Sequence, residues 1–260
     1  MSSQQPSTTP ILKGSAVFLS ASFPSPKSPT YYQSADPDEI TQAIVALAKA
    51  VLAVEAGLVF GGHPTVSPLV MMVAEEYLPS SLEERRQMVR EGTSPVIIYQ
   101  SRAFRGSISP ATRRMWWLGL GKTVWVPPFG PEKSLVGETN DPGQFPRSLR
   151  MMRRRMLTRH GIVAAVFIGG MEGIKEEASI FNGLQPGKPS YAVGAPGGAA
   201  RDLASTELSR VENVDDPNKD WVRDLLVSRE YPALMQRIMQ DIVIRTGESN
   251  KKGKSTNANP

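Results

Sequence analysis

The sequence contains no cysteine and only two histidines, His63 and His160. Without cysteine the chain can form neither a disulfide nor a thiolate nucleophile. Protein zinc sites draw mainly on cysteine and histidine, so this composition argues against a histidine-rich metal site. We therefore expect no metal ion, and nothing in the sequence indicates a resident cofactor.

Long hydrophobic runs are also missing, although hydrophobic residues make up 40% of the 260 residues. No apolar stretch approaches the roughly 20 residues that a helix needs to cross a bilayer. The N-terminal sequence MSSQQPSTTP lacks the charged start and the apolar core of a secretory signal. These absences predict a cytoplasmic protein without membrane contact, and the length suits one α/β domain of generous size.

Positive charge is unevenly distributed along the chain, whose formal net charge is +5. Six arginines lie between Arg147 and Arg159, and a lysine-bearing tail closes the chain. Such a cluster favours anionic partners, either a phosphate-bearing small molecule or a nucleic acid. The cluster lacks the alternation of basic and aromatic residues that stacking readers use, so nucleic acid is the weaker expectation. A merely solvated helix face explains the arginines equally well.

Six short apolar runs are typical of buried strands. None is long enough for a buried helix, and their continuous hydrophobicity predicts burial on both faces of a parallel sheet. The runs are SAVFLSASF, GLVFGG, PVIIYQ, TVWVPP, GIVAAVFIGG and PSYAVGAPGG.

Helical patterns lie between these strands. One has Asp36 as its N-cap, Pro37 at its first position and Gly57 past its end. Five further helices are predicted. One begins at Ser67 and Pro68, one ends at Gly92, one extends from about Pro110 to Leu118, one covers RSLRMMRRRMLTRH, and one begins at Gly173. The alternation predicts an α/β fold with a doubly wound, mostly parallel Rossmann-like sheet flanked by helices.

The chain ends and two loops depart from this alternation. We expect disorder over residues 1–10 and 248–260, a main ligand-binding domain over 11–205, and C-terminal helices over 206–247 that pack on it as a small helical cap. The loops SFPSPKSPTYYQSADP and PPFGPEKSLVGETNDPGQFP are rich in Pro, Gly and polar residues, which predicts irregular structure.

Three predicted strands end in loops that suit ligand binding. Ligands of an open parallel sheet collect beyond the carboxyl ends of the strands. A strand, glycine and helix in succession form a natural phosphate cradle, although such glycines also serve turns alone. The candidate ligand-binding residues are Ser20, Ser22, Gly61, Gly62, His63, Thr65, Ser67, Gly169, Gly170, Met171, Glu172 and Gly173.

Two adjacent acids, Glu176 and Glu177, fall in the first turn of the helix that follows the fifth strand. In that position they stabilise the helix dipole, whether or not they have chemistry to perform. Alternatively, one of them reaches into the cleft. There a carboxylate would accept hydrogen bonds from a ribose, or would stabilise an oxocarbenium-like transition state.

The pattern over residues 15–193 resembles the SLOG superfamily. Its best-known enzymes, the Lonely Guy phosphoribohydrolases, carry an Arg-Lys pair on a helix, then a strand, then Pro-Gly-Gly-x-Gly-Thr-x-x-Glu. The segment RRRMLTRHGIVAAVFIGGMEGIKEE has the same order, with Arg153 and Arg154 ahead of Gly169. The resemblance implies that Arg153 and one glutamate would be catalytic in an enzyme, and that Arg154 contacts the ligand.

The chain departs from that family motif at three positions. They are Ile168 for the proline, Glu172 as an extra residue, and Ile174 for the threonine. The extra residue leaves two counterparts for the family's catalytic acid. Counting from Gly173 selects Glu177, whereas counting from Gly169 selects Glu176.

The segments GGHPTVSPLV and GGMEGI look most like SLOG domains of bacterial nucleotide-based antiviral systems. The resemblance implies binding of a nucleotide or an NAD-derived nucleotide, such as ADP-ribose or a cyclic ADP-ribose isomer, by a sensor in defence or signalling. It further implies a homo-oligomer, or a TIR-domain or effector protein as partner. The alternative is an N-glycoside hydrolase that releases the base from a nucleotide, and nucleic-acid binding ranks third.

Overall fold

The computed structural model describes residues 12–139, 141–214 and 216–256, with the side chains of the last helix described up to residue 247. All six predicted strands form, and they pair in parallel in the order β4-β3-β2-β1-β5-β6. The strands are β1 (Ala16–Ser22), β2 (Gly57–Gly61), β3 (Val96–Ser101), β4 (Lys122–Val126), β5 (Ile162–Gly169) and β6 (Ser190–Val193).

Ten α-helices connect and follow these strands in the part of the chain that the structure describes. They are α1 (Pro29–Ser34), α2 (Pro37–Ala53), α3 (Val66–Tyr77), α4 (Leu82–Glu91), α5 (Pro110–Trp117), α6 (Pro146–Leu157), α7 (Glu172–Leu184), α8 (Gly198–Asn213), α9 (Lys219–Val227) and α10 (Tyr231–Thr256). The predicted doubly wound α/β class is confirmed.

The strand order reverses at β1. The chain runs outward from β1 through β2 and β3 to β4, then returns to place β5 against the other side of β1. Phe18 of β1 accordingly lies beside Val59 of β2 and Ala165 of β5. In open parallel sheets such a reversal opens a crevice beyond the carboxyl ends of the strands.

Apolar side chains cover both faces of the sheet, as the continuous strand hydrophobicity predicted. One face packs against α2, α3 and α10, and the other against α6, α7 and α8. On the second face, the rings of Phe18 and Phe167 meet edge to face with centroids 6.3 Å apart. Each fully buried phenylalanine of this kind stabilises the fold by about 1.5–3 kcal/mol.

The predicted ends of α2 and α4 are largely confirmed. The Asp36 side chain accepts hydrogen bonds from the N–H groups of Asp38 at 2.9 Å and Glu39 at 3.1 Å. Gly92 ends α4 in the left-handed conformation, with φ of 77°. After α2, however, the left-handed residue is Glu55, with φ of 56°, and Gly57 already belongs to β2.

Several helix predictions need correction. Helix α3 begins at Val66 with Thr65 as N-cap, so Ser67 and Pro68 lie inside it. Helices α1 and α8 were not predicted, and short 3-10 turns interrupt the second irregular loop at 130–135 and 142–144. Helix α8 was missed because its buried residues are mostly glycine and alanine, which leave no clear apolar periodicity.

The C-terminal helices complete the helical layers of the domain. Helix α9 packs on α8 and β6, and α10 packs along α2. Helix α10 continues to Thr256 and so enters the stretch 248–260 for which we predicted disorder, while residues 1–10 lie outside the described residues. None of the described helices combines the length and the apolar character required to traverse a bilayer.

Candidate functional site

Polar residues converge where β1, β2 and β5 end side by side. Ser22, the last residue of β1, lies in register with Gly169, the last residue of β5. Gly61 ends β2 on the other side of β1. A Cβ on Gly61 would lie 3.7 Å from the Met152 Cε of α6. The tertiary structure therefore brings together the three loops that the sequence singled out.

An arginine and a glutamate meet at the centre of this group. The Arg153 Nε donates a hydrogen bond of 3.0 Å to Glu177, and the Ser20 hydroxyl donates one of 2.5 Å to the other carboxylate oxygen. The side chains of Arg153 and Glu177 are each only 15% exposed. The three residues come from α6, α7 and β1, so the pair ties two helices to the sheet at the crevice.

Burial dominates the electrostatics of Glu177. Loss of water raises the pKa of this carboxyl, although Arg153 and the hydrogen bond from Ser20 oppose the rise. The net direction is upward, which makes Glu177 a better proton holder than an ordinary glutamate. Perturbed carboxyls of this kind cluster at functional sites.

Glu176 lies next to the same arginine but nearer to solvent. It forms a short ion pair with the Arg153 Nη1 and a second contact of 3.3 Å with the Arg150 Nε. Its side chain is 34% exposed. Arg153 is thus held between two carboxylates, the inner one fixed by Ser20 and the outer one shared with Arg150.

The glycines that end β5 are enclosed by protein atoms. A Cβ on Gly169 would lie 2.7 Å from the Ile40 Cδ1, and Gly170 donates its N–H to the Ser22 carbonyl at 2.8 Å. Behind them, a Cβ on Gly198 would lie 2.7 Å from the Gly169 carbonyl carbon. Gly169 and Gly170 therefore allow three loops to pack closely, a role beyond the simple turn that the sequence offered as the alternative to a phosphate cradle.

The backbone N–H groups of this region that remain available to a ligand lie just after the glycines, at the start of α7. Among the described residues, no side chain caps the N-termini of α3, α7 or α8. By contrast, Asp36 caps α2, and Glu132 accepts hydrogen bonds of 2.8 Å from the N–H groups of Arg147 and Ser148 at the start of α6. Protein carboxylates already hold the N-termini of α2 and α6, which leaves those of α3 and α7 for an anion.

The loop after β2 is shaped by internal contacts as well. Gly62 lies against the side-chain amide of Gln100, which is buried at the end of β3. The His63 Nδ1 lies 2.8 Å from the Thr65 hydroxyl, and burial lowers the pKa of this histidine, which favours the neutral ring. His63 thus braces the start of α3.

Ser67 does not reach the crevice. Its side chain is fully buried, and its hydroxyl accepts a hydrogen bond of 2.9 Å from Thr112 in the contact between α3 and α5. The structure therefore places this predicted ligand contact outside the crevice. The sequence pattern put Ser67 at the start of a helix, whereas the serine lies inside α3 and faces α5.

A second polar group flanks the crevice at α1. The Tyr31 hydroxyl donates a short hydrogen bond to Glu172, and the Lys175 Nζ lies 5.2 Å from the centre of the Tyr31 ring. Lys175 also pairs with Asp202 of α8 at 2.7 Å, and this bond and Tyr31 raise the lysine pKa. In the same loop, the Ser25 hydroxyl contacts the Met171 sulfur at 3.9 Å.

The arginines of α6 do not form one free basic stripe. Arg150 and Arg153 pair with glutamates, and the Arg147 guanidinium lies over the Phe129 ring at 5.3 Å. Arg154 is exposed, and as the residue after Arg153 it projects about 100° around the helix from it. This distribution offers little continuous surface for a nucleic-acid backbone.

Four residues of the crevice and its flank were not predicted from the sequence: Arg150, Gln100, Tyr31 and Lys175. Arg150 shares the arginine cluster with Arg153, and its spacing of one helical turn was a usable signal. Lys175 lies inside the glycine segment GGMEGIKEE but was not singled out, and Gln100 and Tyr31 come from segments with no motif. Among the described residues, no cluster of three or more His, Asp or Glu side chains suits a metal ion.

The fold and the crevice define a Rossmann-like α/β protein whose polar centre lies at the switch point of a parallel sheet. The chain matches the sequence profile of the SLOG cluster3 family over residues 30–116 and 137–227, which is more than half of its length. It therefore belongs to the SLOG cluster3 family, and the predicted superfamily is confirmed. No curated protein gives a significant match to the chain. Family membership is consistent with a nucleotide-related function.

Proposed function

We propose that the protein binds a nucleotide or an NAD-derived nucleotide, such as ADP-ribose or a cyclic ADP-ribose isomer, across the carboxyl ends of β1, β2 and β5. We further propose that it leaves this ligand intact and acts as a sensor in a bacterial defence or signalling system.

The observation that carries the proposal is the group of Arg153, Glu177 and Ser20 beside the uncapped start of α7. The N–H groups of that first helical turn suit a phosphate, and Arg153 adds a positive charge. Glu177 supplies acceptor oxygens at the depth where a ribose would lie. One crevice thus offers complementary partners for both the phosphate and the sugar of a nucleotide.

A sensor must bind its ligand with different affinity in two states. The clamp between Tyr31 and Glu172 is a suitable element, because it joins α1 to the first residue of α7. A phosphate bound at the start of α7 would repel the negatively charged Glu172 and so weaken its contact with Tyr31. Ligand binding would then loosen or shift α1, which lies on the surface and buries none of its residues.

The buried state of Glu177 favours a second candidate, an N-glycoside hydrolase. Its raised pKa suits proton transfer to a departing base, and its ionised form would stabilise a developing oxocarbenium ion. Arg153 would hold the phosphate in that reaction. The two candidates use the same residues and differ in whether the nucleotide emerges unchanged.

The test is to incubate the pure protein with NAD, ADP-ribose, cyclic ADP-ribose isomers and nucleoside monophosphates, and then to identify retained and released compounds by mass spectrometry. A retained, unaltered nucleotide that Glu177→Gln no longer holds supports the sensor. Release of free base with the matching sugar phosphate supports the hydrolase. Retention of none of these compounds, with none converted, would refute both candidates.

The expected protein partners, a TIR-domain or effector protein, stay predictions from the family resemblance. Assembly into a homo-oligomer is likewise a prediction from that resemblance.

A further inference from the structure

An apolar groove runs between α2 and α10, on the outside of the domain and away from the carboxyl edge of the sheet. Its volume is about 950 Å³. Alanines of α2 line it together with larger apolar side chains. The alanines are Ala46, Ala50 and Ala53, and the larger side chains include Tyr77 of α3 and Val243 and Ile244 of α10.

Helix α2 is apolar around nearly its whole circumference. From Ile40 to Val54, only Thr41, Gln42 and Lys49 are polar. One side of the helix is buried against the sheet, but the opposite side, which carries the alanines of the groove, is open. A helix without a polar face is normally covered on all sides, so the open side of α2 calls for a partner.

The groove residues of both helices follow the spacing of a helix-packing seam. On α2 they recur at 42, 46, 49 and 53, and on α10 at 232, 236, 239 and 243. Steps of four and three residues form the narrow stripe through which helices pack against helices. The two stripes lie side by side, because α10 packs along α2.

From this arrangement we propose that the groove binds a second copy of the chain through a two-fold axis, so that α2 and α10 of both copies form a four-helix contact. A two-fold contact needs a surface that complements itself. This face carries both a hollow, lined by small alanine side chains, and a ridge of larger ones, where Ile244 is 59% exposed and Tyr77 is 43% exposed. The ridge of each copy fills the hollow of the other.

Charge favours a second copy over a charged partner. The chain carries a net charge of +5, which opposes self-association through most faces. Among the described residues that line the groove, Lys49 alone is charged, and it already pairs with Glu76 at 3.0 Å. Two copies can therefore meet here without repulsion, while an acidic or basic partner would find no counter-charge.

The size of the face suits a small, reversible contact. Thirteen residues of helix extend about 20 Å, and two or three helices side by side measure about 20–30 Å across. Each copy thus offers roughly 400–600 Å², so the two copies together bury about 800–1,200 Å², the size of a weak or transient interface.

The test measures the mass of the full chain in solution by light scattering coupled to size exclusion, at about 50 μM. We expect a dimer for the wild type and a monomer for Ala46→Glu, because the variant buries an unpaired charge and weakens association at least about 100-fold. The matched control is Ala233→Glu, an exposed alanine of α10 outside the groove, which should remain dimeric. Equal circular dichroism spectra exclude unfolding.

A cross-link keeps the test decisive if Ala46→Glu fails to fold. Because the chain has no cysteine, Ala50→Cys and Ile244→Cys each introduce a single thiol, one in the hollow and one on the ridge. A mixture of these two variants should give a disulfide-linked dimer of one chain of each under mild oxidation, whereas a mixture of Ala50→Cys and Ala233→Cys should not. A monomeric wild type would overturn the proposal, and so would a dimer that neither variant of the groove affects. The oligomeric state is read without any nucleotide, so failure here leaves the proposed ligand site unaffected.

Discussion

The Arg153 Nη2 lies 2.6 Å from the position that a Cβ would occupy on Gly173. The glycine that the sequence suggested for phosphate approach therefore makes room first of all for an arginine. Through this contact Arg153 reaches the start of α7 and binds Glu177 at the same time. The identity of residue 173 thus controls the position of the principal positive charge in the crevice.

Gly173→Ala should weaken nucleotide binding without weakening the fold. The added methyl displaces Arg153 from α7, and we expect about 10-fold lower affinity, which corresponds to about 1.4 kcal/mol. Alanine favours a helix over glycine by up to about 1 kcal/mol, so the melting temperature should hold or rise. Calorimetric titration with ADP-ribose measures the affinity. Gly183→Ala, on the same helix with open space around its Cβ, should leave binding unchanged.

Glu176 and Glu177 should have opposite effects on ligand affinity. Glu177→Gln removes the negative charge that pairs with Arg153 and leaves one acceptor oxygen for the two donors Arg153 and Ser20, so binding of ADP-ribose should fall at least about 10-fold. Glu176→Gln removes a carboxylate that competes with phosphate for Arg153 and Arg150, so binding should tighten about 3-fold. Glu75→Gln, an exposed glutamate near the C-terminal end of α3 and outside the crevice, serves as the comparison. Equal and weak effects of the first two variants would sink the assignment of a ribose contact to Glu177.

Glu132 should make stability depend on pH below neutrality. Burial pushes the pKa of this carboxyl upward, but hydrogen bonds from the Ser148 hydroxyl and from the N–H groups of Arg147 and Ser148 outweigh burial and leave the pKa below its usual value. A carboxyl with a lowered folded-state pKa stabilises the fold above its unfolded-state pKa, and that contribution is lost as the pH falls through the folded-state value.

Urea denaturation of Glu132→Gln tests this expectation. At pH 7 the variant should lose about 1–2 kcal/mol of unfolding free energy, because its neutral amide caps α6 less well. The difference from the wild type should shrink as the pH is lowered below about 4, where the native carboxyl also becomes neutral. Glu138→Gln, an exposed neighbour, should match the wild type throughout. A difference that persisted unchanged at low pH would contradict the capping role.

Gly198→Ala should destabilise the fold far more than Gly187→Ala. Both glycines have positive φ, 66° and 84°, so either substitution costs about 1–2 kcal/mol of backbone strain. Only the methyl at 198 also meets the backbone of Gly169, whereas the space around 187 is open. We expect a further loss of about 2 kcal/mol or more for Gly198→Ala in urea denaturation. Equal losses would show that the loops at 169 and 198 are not closely packed.

Much of the fold was predictable because its signals are local. The six strands follow from continuous apolar runs, and the start of α2 follows from Asp36 and Pro37. The prediction failed where the buried side chains are small, as in α8, and where a polar residue faces a distant helix, as Ser67 faces Thr112. In both cases the deciding contact is made by residues far apart in the sequence.

The sequence contained enough information to choose between Glu176 and Glu177, although the family motif left both open. The buried residues of α7 include Ile174, Ala178 and Phe181, and Glu177 falls on that side of the helix three residues after Ile174. Helical spacing alone would have placed Glu177 inward and Glu176 outward. Counting along the family motif obscured this, because an extra residue precedes Gly173.

The sequence by itself determined the parallel sheet, the alternating helices and the three loops at the carboxyl edge, since apolar periodicity and capping residues act over a few positions. Only the tertiary structure decided which side chains meet there. Ser20 and Glu177 are 157 positions apart, and Arg153 and Glu177 are 24 apart. Their contact depends on the reversal of strand order that sets β1 against β5, which no local signal specifies, because strand pairing is selected by the packing of the whole sheet.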